Sequence, residues 1–298
     1  MRDPCQLAST ERTSLGRRAW VAGVSALAAP GAWAACQPVR IPVAPGGLLV
    51  RIENGRPQGV VVDLIAALRQ RLPCGVVSEL LPQGRLIQSF YETHEADVLI
   101  PGSAVAYEGH VPHFVPLFHV SAHLVGRAGA RFGAAGVGAL LAQSWRCALV
   151  RTVTYGPDFA TLIGQLDTQG RVTWVRDVDT ALRMVQAERV DFTLLSPTVV
   201  FNSVGQAGYQ RLQFLPVPGL RPLETGAAVS RRSLPEAVQV QVVQALETLV
   251  PSGAVGRAFA RHFPPPVLAQ EFAALPRALR PAMPSSAQPA QGQPRSPA

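Results

Sequence analysis

Apolar positions along the chain change period repeatedly, and the changes outline alternating strands and helices. Val39 to Ala44 is a short apolar run closed by Pro45-Gly46-Gly47, which predicts a first strand. Ile52 to Gly59 centres on Asn54-Gly55 and predicts a hairpin turn. Val61, Leu64, Ile65, Leu68 and Leu72 then recur at helical spacing, and Pro73 ends that helix. A strand at Val76–Leu80, a short helix carrying Leu86, Ile87 and Phe90, and a buried strand at Val98–Ile100 follow. This last strand stops at Pro101-Gly102, so the loop from Gly102 to Glu108 sits where open α/β sheets bind ligands.

The second half repeats the pattern. A bridging strand, Ser121–Arg127, leads into a Gly/Ala segment. Strands are predicted at Arg146–Arg151, Val172–Val175, Asp191–Leu195, Leu212–Val217 and Gly226–Ser230, with helices at Pro157–Leu166 and Val178–Ala187. Pro157 suits a first helical turn, and Asp158 complements its dipole. Ser233-Leu234-Pro235-Glu236 reads as a capping box opening a helix to about Val250, and Ala254–His262 is the last predicted helix. The β-α-β-α-β order predicts an α/β, two-lobed fold with a parallel-sheet lobe on each side of a cleft.

Both ends of the chain differ in character. Arg17-Arg18, the apolar stretch Ala19–Ala29 and Ala32-Trp33-Ala34 are the parts of a cleaved export signal, too short and too broken to span a bilayer. The expected division is a signal peptide at 1–34, a first lobe at 35–122, a second lobe at 123–225, a return to the first lobe at 226–263 and a Pro/Ala/Gln-rich tail at 264–298. The tail is expected to be disordered apart from a frayed helix at Leu268–Leu275.

Composition narrows the function classes. The formal charge is +8 and every basic residue is Arg, but residues 1–34 and 264–298 each carry +2 of it. No dense Arg cluster with interleaved aromatics appears, and no nucleic-acid partner is expected. Export favours disulfides, and Cys36 and Cys74 each precede one of the first two strands, so they are expected to pair. Cys147 lies in an apolar run and reads as a buried thiol. His110, His113, His119 and His123 fit no tight zinc spacing, and neither a metal nor a cofactor is expected. Gly133 to Gly138 resembles a phosphate loop only superficially. No Gly-x-Ser-x-Gly elbow or Cys/His pair points to catalysis, and Asp177 with Asp179 reads as helix capping.

Several short motifs, in order, resemble the type II periplasmic solute-binding proteins, specifically family 3, best known from amino-acid ABC transporters. They are Glu53 to Gly59 with Val62-Asp63-Leu64, Glu95 to Pro101, Phe114 to Leu117, Val178 to Leu182, Arg189-Val190-Asp191 and Phe259 to Phe263. The resemblance implies a Venus-flytrap fold, a periplasmic location, a monomer, capture of a small polar solute in an interlobe cleft without catalysis, and delivery to an inner-membrane ABC permease. An accessory or sensory module on the same fold, or a dehydratase-like enzyme, are the alternatives.

The family's amino-acid site is not reproduced. Glu108 stands where such proteins place a carboxylate-gripping Arg, and Ser196 stands near the usual acid. The expected ligand-binding set is Arg85, for an anionic group on the solute, with Ser103, Tyr107, Thr152, Tyr155 and Ser196.

Overall fold

The structure is a computed structural model and describes residues 37–102, 111–132, 136–151, 153, 155–273, 275 and 277–284. The expected signal peptide lies outside these residues, as do Cys36 and the chain beyond residue 284. No described helix is long and apolar enough to cross a membrane.

The first lobe is built from β1 (Val39–Arg40), the hairpin β2 (Arg51–Glu53) and β3 (Arg56–Gln58), α1 (Val60–Arg69), β4 (Val76–Val77), α2 (Gln83–Tyr91), β5 (Val98–Gly102) and β6 (His113–Val120). Asn54 and Gly55 both have positive φ, as a tight hairpin turn requires. Helix α1 buries Val60, Val61, Leu64, Ile65 and Leu68 along one face. Burial of such side chains contributes about 1.5–3 kcal/mol each. Gly59 caps this helix at φ 133, with the carbonyls of Leu48 and Leu49 where a Cβ would stand, so only glycine fits.

Asp97 joins the strands of this lobe. Its buried carboxylate accepts from the Arg40 backbone N–H at 2.8 Å and from the Arg40 guanidinium at 2.7 and 3.1 Å. Its own N–H donates to the Arg40 carbonyl, and its carbonyl accepts from Ser230. One side chain therefore ties β1 to β5.

The second lobe contains β7 (His123–Arg127), α3 (Val137–Ala142), β8 (Cys147–Val150), α4 (Pro157–Thr168), β9 (Val172–Val175), α5 (Val178–Gln186), β10 (Phe192–Leu195), α6 (Pro197–Tyr209) and β11 (Leu212–Pro216). The chain then returns through β12 (Leu223–Val229), α7 (Glu236–Glu247), α8 (Ala254–His262) and α9 (Pro265–Ala273), followed by a 3-10 turn at Arg277–Leu279. Strand β12 inserts between β5 and β6, antiparallel to both, and passes so close to Val115 that Gly226 has no room for a Cβ.

The architecture is two-lobed and α/β. The sheets, however, are mixed and not uniformly parallel. Strand β8 runs parallel to β9 and β10, whereas β7 runs antiparallel to β10 and β11. The strands that carry the chain between lobes enter each sheet against the direction set by its β-α-β units.

Three further differences from the sequence reading matter. Helix α6 is an addition, since no helix was expected between Leu195 and Leu212. Its Pro197 start and Ser196 cap are ordinary helix signals, but Val199, Val200, Asn202, Ser203 and a kink at Gly205 (φ 62) break the pattern. The expected capping box does not form: α7 starts after Pro235 with no side-chain cap, and Ser233 donates instead to the Ala96 carbonyl. Finally, Pro265–Ala273 forms α9, which starts before the frayed helix expected at Leu268–Leu275, because Val267, Leu268, Phe272 and Leu275 join the same core as Phe259 and α1. Asp177 does cap α5, accepting from the Thr180 N–H at 2.7 Å.

Candidate functional site

The chain passes between the lobes twice, at Ser121-Ala122 and at 217–222, and a cavity of about 150 Å³ opens beside these crossings. Val120, Ala122 and Leu223 line it from the crossing strands. Val153, Tyr155, Leu194, Leu195, Ser196 and Val199 line it from the second lobe. The lining on that side comes from the carboxyl end of β10, the start of α6 and the approach to α4. This is the placement expected of a ligand site in a parallel α/β unit.

Tyr155 and Ser196, expected as ligand contacts from sequence, therefore meet on one cavity. The Tyr155 hydroxyl accepts from the Val150 N–H at 3.2 Å, which leaves its own proton free to donate. Burial pushes this phenol up to about 12, so it stays neutral across the physiological range. The Ser196 hydroxyl caps α6, lying 3.4 Å from the Val199 N–H and 3.1 Å from the Thr198 hydroxyl.

Arg85 is not on this cavity. Its exposed guanidinium pairs with Glu95 at 2.7 Å and donates to Gln88 at 3.1 Å, so its charge is already matched. The sequence reading missed that partner because Glu95 lies past the end of α2 and returns to it only through the turn at 92–94. Ser103, Tyr107 and Thr152 lie outside the described residues, as does Glu108. The cavity's described lining carries no charged side chain, and Tyr155 is its one titratable group.

Two helix N-termini approach the cavity, and they differ. At α4 the first-turn Asp158 is held by Arg221, whose backbone N–H and guanidinium both donate to it. The guanidinium draws that carboxyl down to about 2. At α6 the Thr198 N–H and hydroxyl both donate, at 2.9 Å each, to the buried carboxylate of Glu271 on α9. The N–H groups that could have held an anionic solute at α6 are thus taken by the protein's own side chains. Sequence gave no signal for Glu271, which lies 73 residues from its partner.

The described histidines of this group do not converge. His113 is exposed, His119 lies 3.6 Å from Glu224, and His123 is buried against the Ser121 carbonyl. His110 lies outside the described residues. Among the described residues no group of three or more His, Cys, Asp or Glu side chains could hold a metal ion. Cys147 is buried, and burial pushes its thiol up to about 12.

Neither a protein-family model nor a curated protein sequence matches the chain. Solved structures do. The probable amino-acid ABC transporter extracellular-binding protein of Bacillus subtilis matches with a TM-score of 0.59 at 14% identity, over 76% of this chain and 98% of that one. The chain has the two-lobed fold of periplasmic binding proteins. An ancestral amino acid-binding protein, a precursor of cyclohexadienyl dehydratase, matches with a TM-score of 0.56 at 15% identity, over 76% of this chain and 95% of its own. A histidine kinase sensor domain with similarity to periplasmic binding proteins matches with a TM-score of 0.54 at 16% identity, over 76% and 96%. About a quarter of this chain thus falls outside the fold it shares with each of them. The stretches before Gln37 and after Phe263 together make up about that fraction.

Proposed function

We propose that the protein is an extracytoplasmic solute-binding protein that closes its lobes on a small solute without catalysing a reaction. The observation that carries this reading is the cavity at the lobe crossings, lined from both directions and meeting two helix N-termini. Closure would reshape the cavity by rotating the lobes about Ser121-Ala122 and 217–222, and the right solute would shift the open–closed balance.

In this reading Tyr155 donates a hydrogen bond to the solute and Ser196 offers its hydroxyl. Ser103, Tyr107 and Thr152 complete the proposed set. Arg85, held by Glu95, drops out of the set. The described lining is apolar and uncharged, which favours a weakly polar solute over an ordinary zwitterionic amino acid. Export by the N-terminal segment, a periplasmic monomer and an inner-membrane ABC permease as partner complete the proposal. The Cys36–Cys74 disulfide belongs to it as well: Val39 pairs with Val76 in parallel register, so the residues just before each strand enter at the same edge.

The apolar lining also favours a second reading, a sensory or accessory module on this fold that passes on a conformational state and delivers no solute. A dehydratase-like enzyme is the weakest alternative, since a phenol held at about 12 is the one described titratable group on the cavity.

A thermal-shift screen of the mature chain against amino acids, small acids, amines, sugars and apolar metabolites tests the proposal. A bound solute at a hundred times its Kd adds about 2.7 kcal/mol of stability. The shift should shrink in Tyr155→Phe and Ser196→Ala. If no member of the panel raises the melting temperature, solute capture is the wrong reading.

A further inference from the structure

Helix α9 belongs to the stretch beyond Phe263, yet it packs against both lobes. On one side Val267, Leu268 and Phe272 enter the first-lobe core, with Phe272 edge-on to Phe259 at 5.7 Å. On the other side it meets the second lobe, whose Phe201 and Tyr209 on α6 pack against the same core, and polar groups add to that contact. Gln270 donates to the Phe214 carbonyl on β11 at 3.2 Å, and Glu271 accepts both Thr198 donors at the start of α6. The same first turn of α6 presents Ser196 and Val199 to the cavity. So α9 grips, from behind, the helix whose front is a wall of the cleft.

We propose that α9 is a latch between the lobes, in which Glu271 holds the N-terminus of α6 and so sets how freely the cleft opens and closes. Glu271 is a positioning residue in this account, acting on the cavity through Thr198 and Ser196. The proposal rests on the cleft reading above only in taking the cavity as the functional face.

Two observations indicate that the grip responds to protons. Glu271 is buried, and its Oε1 has no hydrogen-bond partner among the described residues, although Oε2 is fully engaged. A protonated carboxyl would carry its hydrogen on Oε1 and keep both bonds from Thr198 to Oε2. A carboxylate would leave a charged oxygen buried and unpaired. In accord with this, burial pushes Glu271 up to about 7, with the Thr198 N–H and hydroxyl and Ser196 opposing the shift.

The neighbouring titratable groups do not compete. Burial raises the Tyr209 phenol on α6, which stays neutral where Glu271 titrates, and burial lowers His123, which lies beside the Gln270 backbone and is common to wild type and E271Q. Because the latched Glu271 binds its proton more tightly than a released one, raising the pH favours release. From an ordinary value of 4.5 to a latched value of about 7, the opening equilibrium should rise about tenfold per pH unit, then level off.

The test needs no solute, so it can fail while the solute-binding reading stands, and the solute screen can fail while the latch stands. Hydrogen exchange is followed in α9 and at the Thr198 and Val199 amides from pH 5 to 8, corrected for intrinsic rates. Amides of β8 and β10 serve as the internal reference. In parallel, the interlobe distance distribution is measured between spin labels at Q70C and Q186C, both exposed sites. Wild type should lose protection in α9 by about tenfold per unit up to pH 7, and its distance distribution should broaden over the same range. E271Q keeps an oxygen for Thr198 but cannot titrate, so its profile should be flat. E271A should be unlatched at every pH. A flat wild-type profile, an E271Q profile as steep as wild type, or full α9 protection in E271A would each overturn the proposal.

Discussion

Among the described residues two carboxyl groups, Asp97 and Glu271, are almost wholly shielded from water, and they are treated in opposite ways. Asp97 in the first lobe is met by an arginine fork and a backbone N–H, so its negative charge is fully answered. Glu271 at the junction of the lobes has hydrogen bonds on one oxygen and, among the described residues, no partner on the other and no cation. Asp97 joins strands that stay together in any working cycle. Glu271 joins elements that lobe movement would separate. A fully paired charge makes a permanent rivet, whereas a half-answered one leaves a contact whose strength depends on its protonation.

The contrast can be broken first at the rivet. Asp97→Ala should cost about 3 kcal/mol, since it strands the Arg40 N–H and its guanidinium, measurable as a loss of denaturant midpoint at pH 7. A cost near zero would mean that Arg40 and Asp97 are merely neighbours. The next largest effect concerns Arg171, a buried guanidinium answered entirely by neutral acceptors. It donates to the carbonyls of Leu140, Leu141 and Trp145 and so caps α3. Arg171→Ala should cost about 2 kcal/mol with little change between pH 5 and 8, because no titrating partner is involved.

The latch sharpens the contrast from the other side. Glu271→Gln should be close to neutral at pH 5 and should exceed wild type in stability at pH 8. Wild-type stability falls as pH rises between the ordinary value of 4.5 and the folded value of about 7, and the amide escapes that loss. The expected gap at pH 8 is about 2 kcal/mol, read from paired denaturation curves. The smallest effect belongs to the exposed pair Asp158–Arg221. Here the folded carboxyl lies at about 2, below its usual 3.8, so any stabilisation is present at neutral pH and is lost as pH falls through that range. Because the Arg221 side chain is largely exposed, Arg221→Ala should barely move the melting temperature at pH 7 and should matter even less at pH 2.

The fold was more legible in the sequence than the site, and particular residues show why. Alternating apolar runs located Val98–Ile100, Phe192–Leu195 and the helices that separate such strands, because burial on both faces leaves a pattern that one reads locally. Helix α6 did not announce itself: Val199, Val200, Asn202 and Gly205 are poor helix formers, and the helix is held by Ser196, by Glu271 and by packing of Phe201 and Tyr209. Helix α9 was only half legible, as a frayed helix at Leu268–Leu275 in a Pro/Ala-rich stretch, because its start among prolines and its packing of Phe272 on Phe259 are not local signals. Tyr155 and Ser196 were reachable as residues at strand ends. Arg85 pairs with Glu95, a partner that comes from beyond the end of α2 and that the local sequence pattern does not show. Thus residues at strand ends could be picked out from the chain, and the long-range contacts between α6 and α9 could not.

The central claim is that the lobes close on a solute at the cavity bearing Tyr155 and Ser196. The most direct measurement is the distance between labels at Q70C and Q186C, recorded at constant pH with each member of the solute panel. The account predicts that at least one solute shortens and narrows that distance in wild type and fails to do so in Tyr155→Phe combined with Ser196→Ala. A distance that no solute changes, in a protein that stays folded, would contradict it.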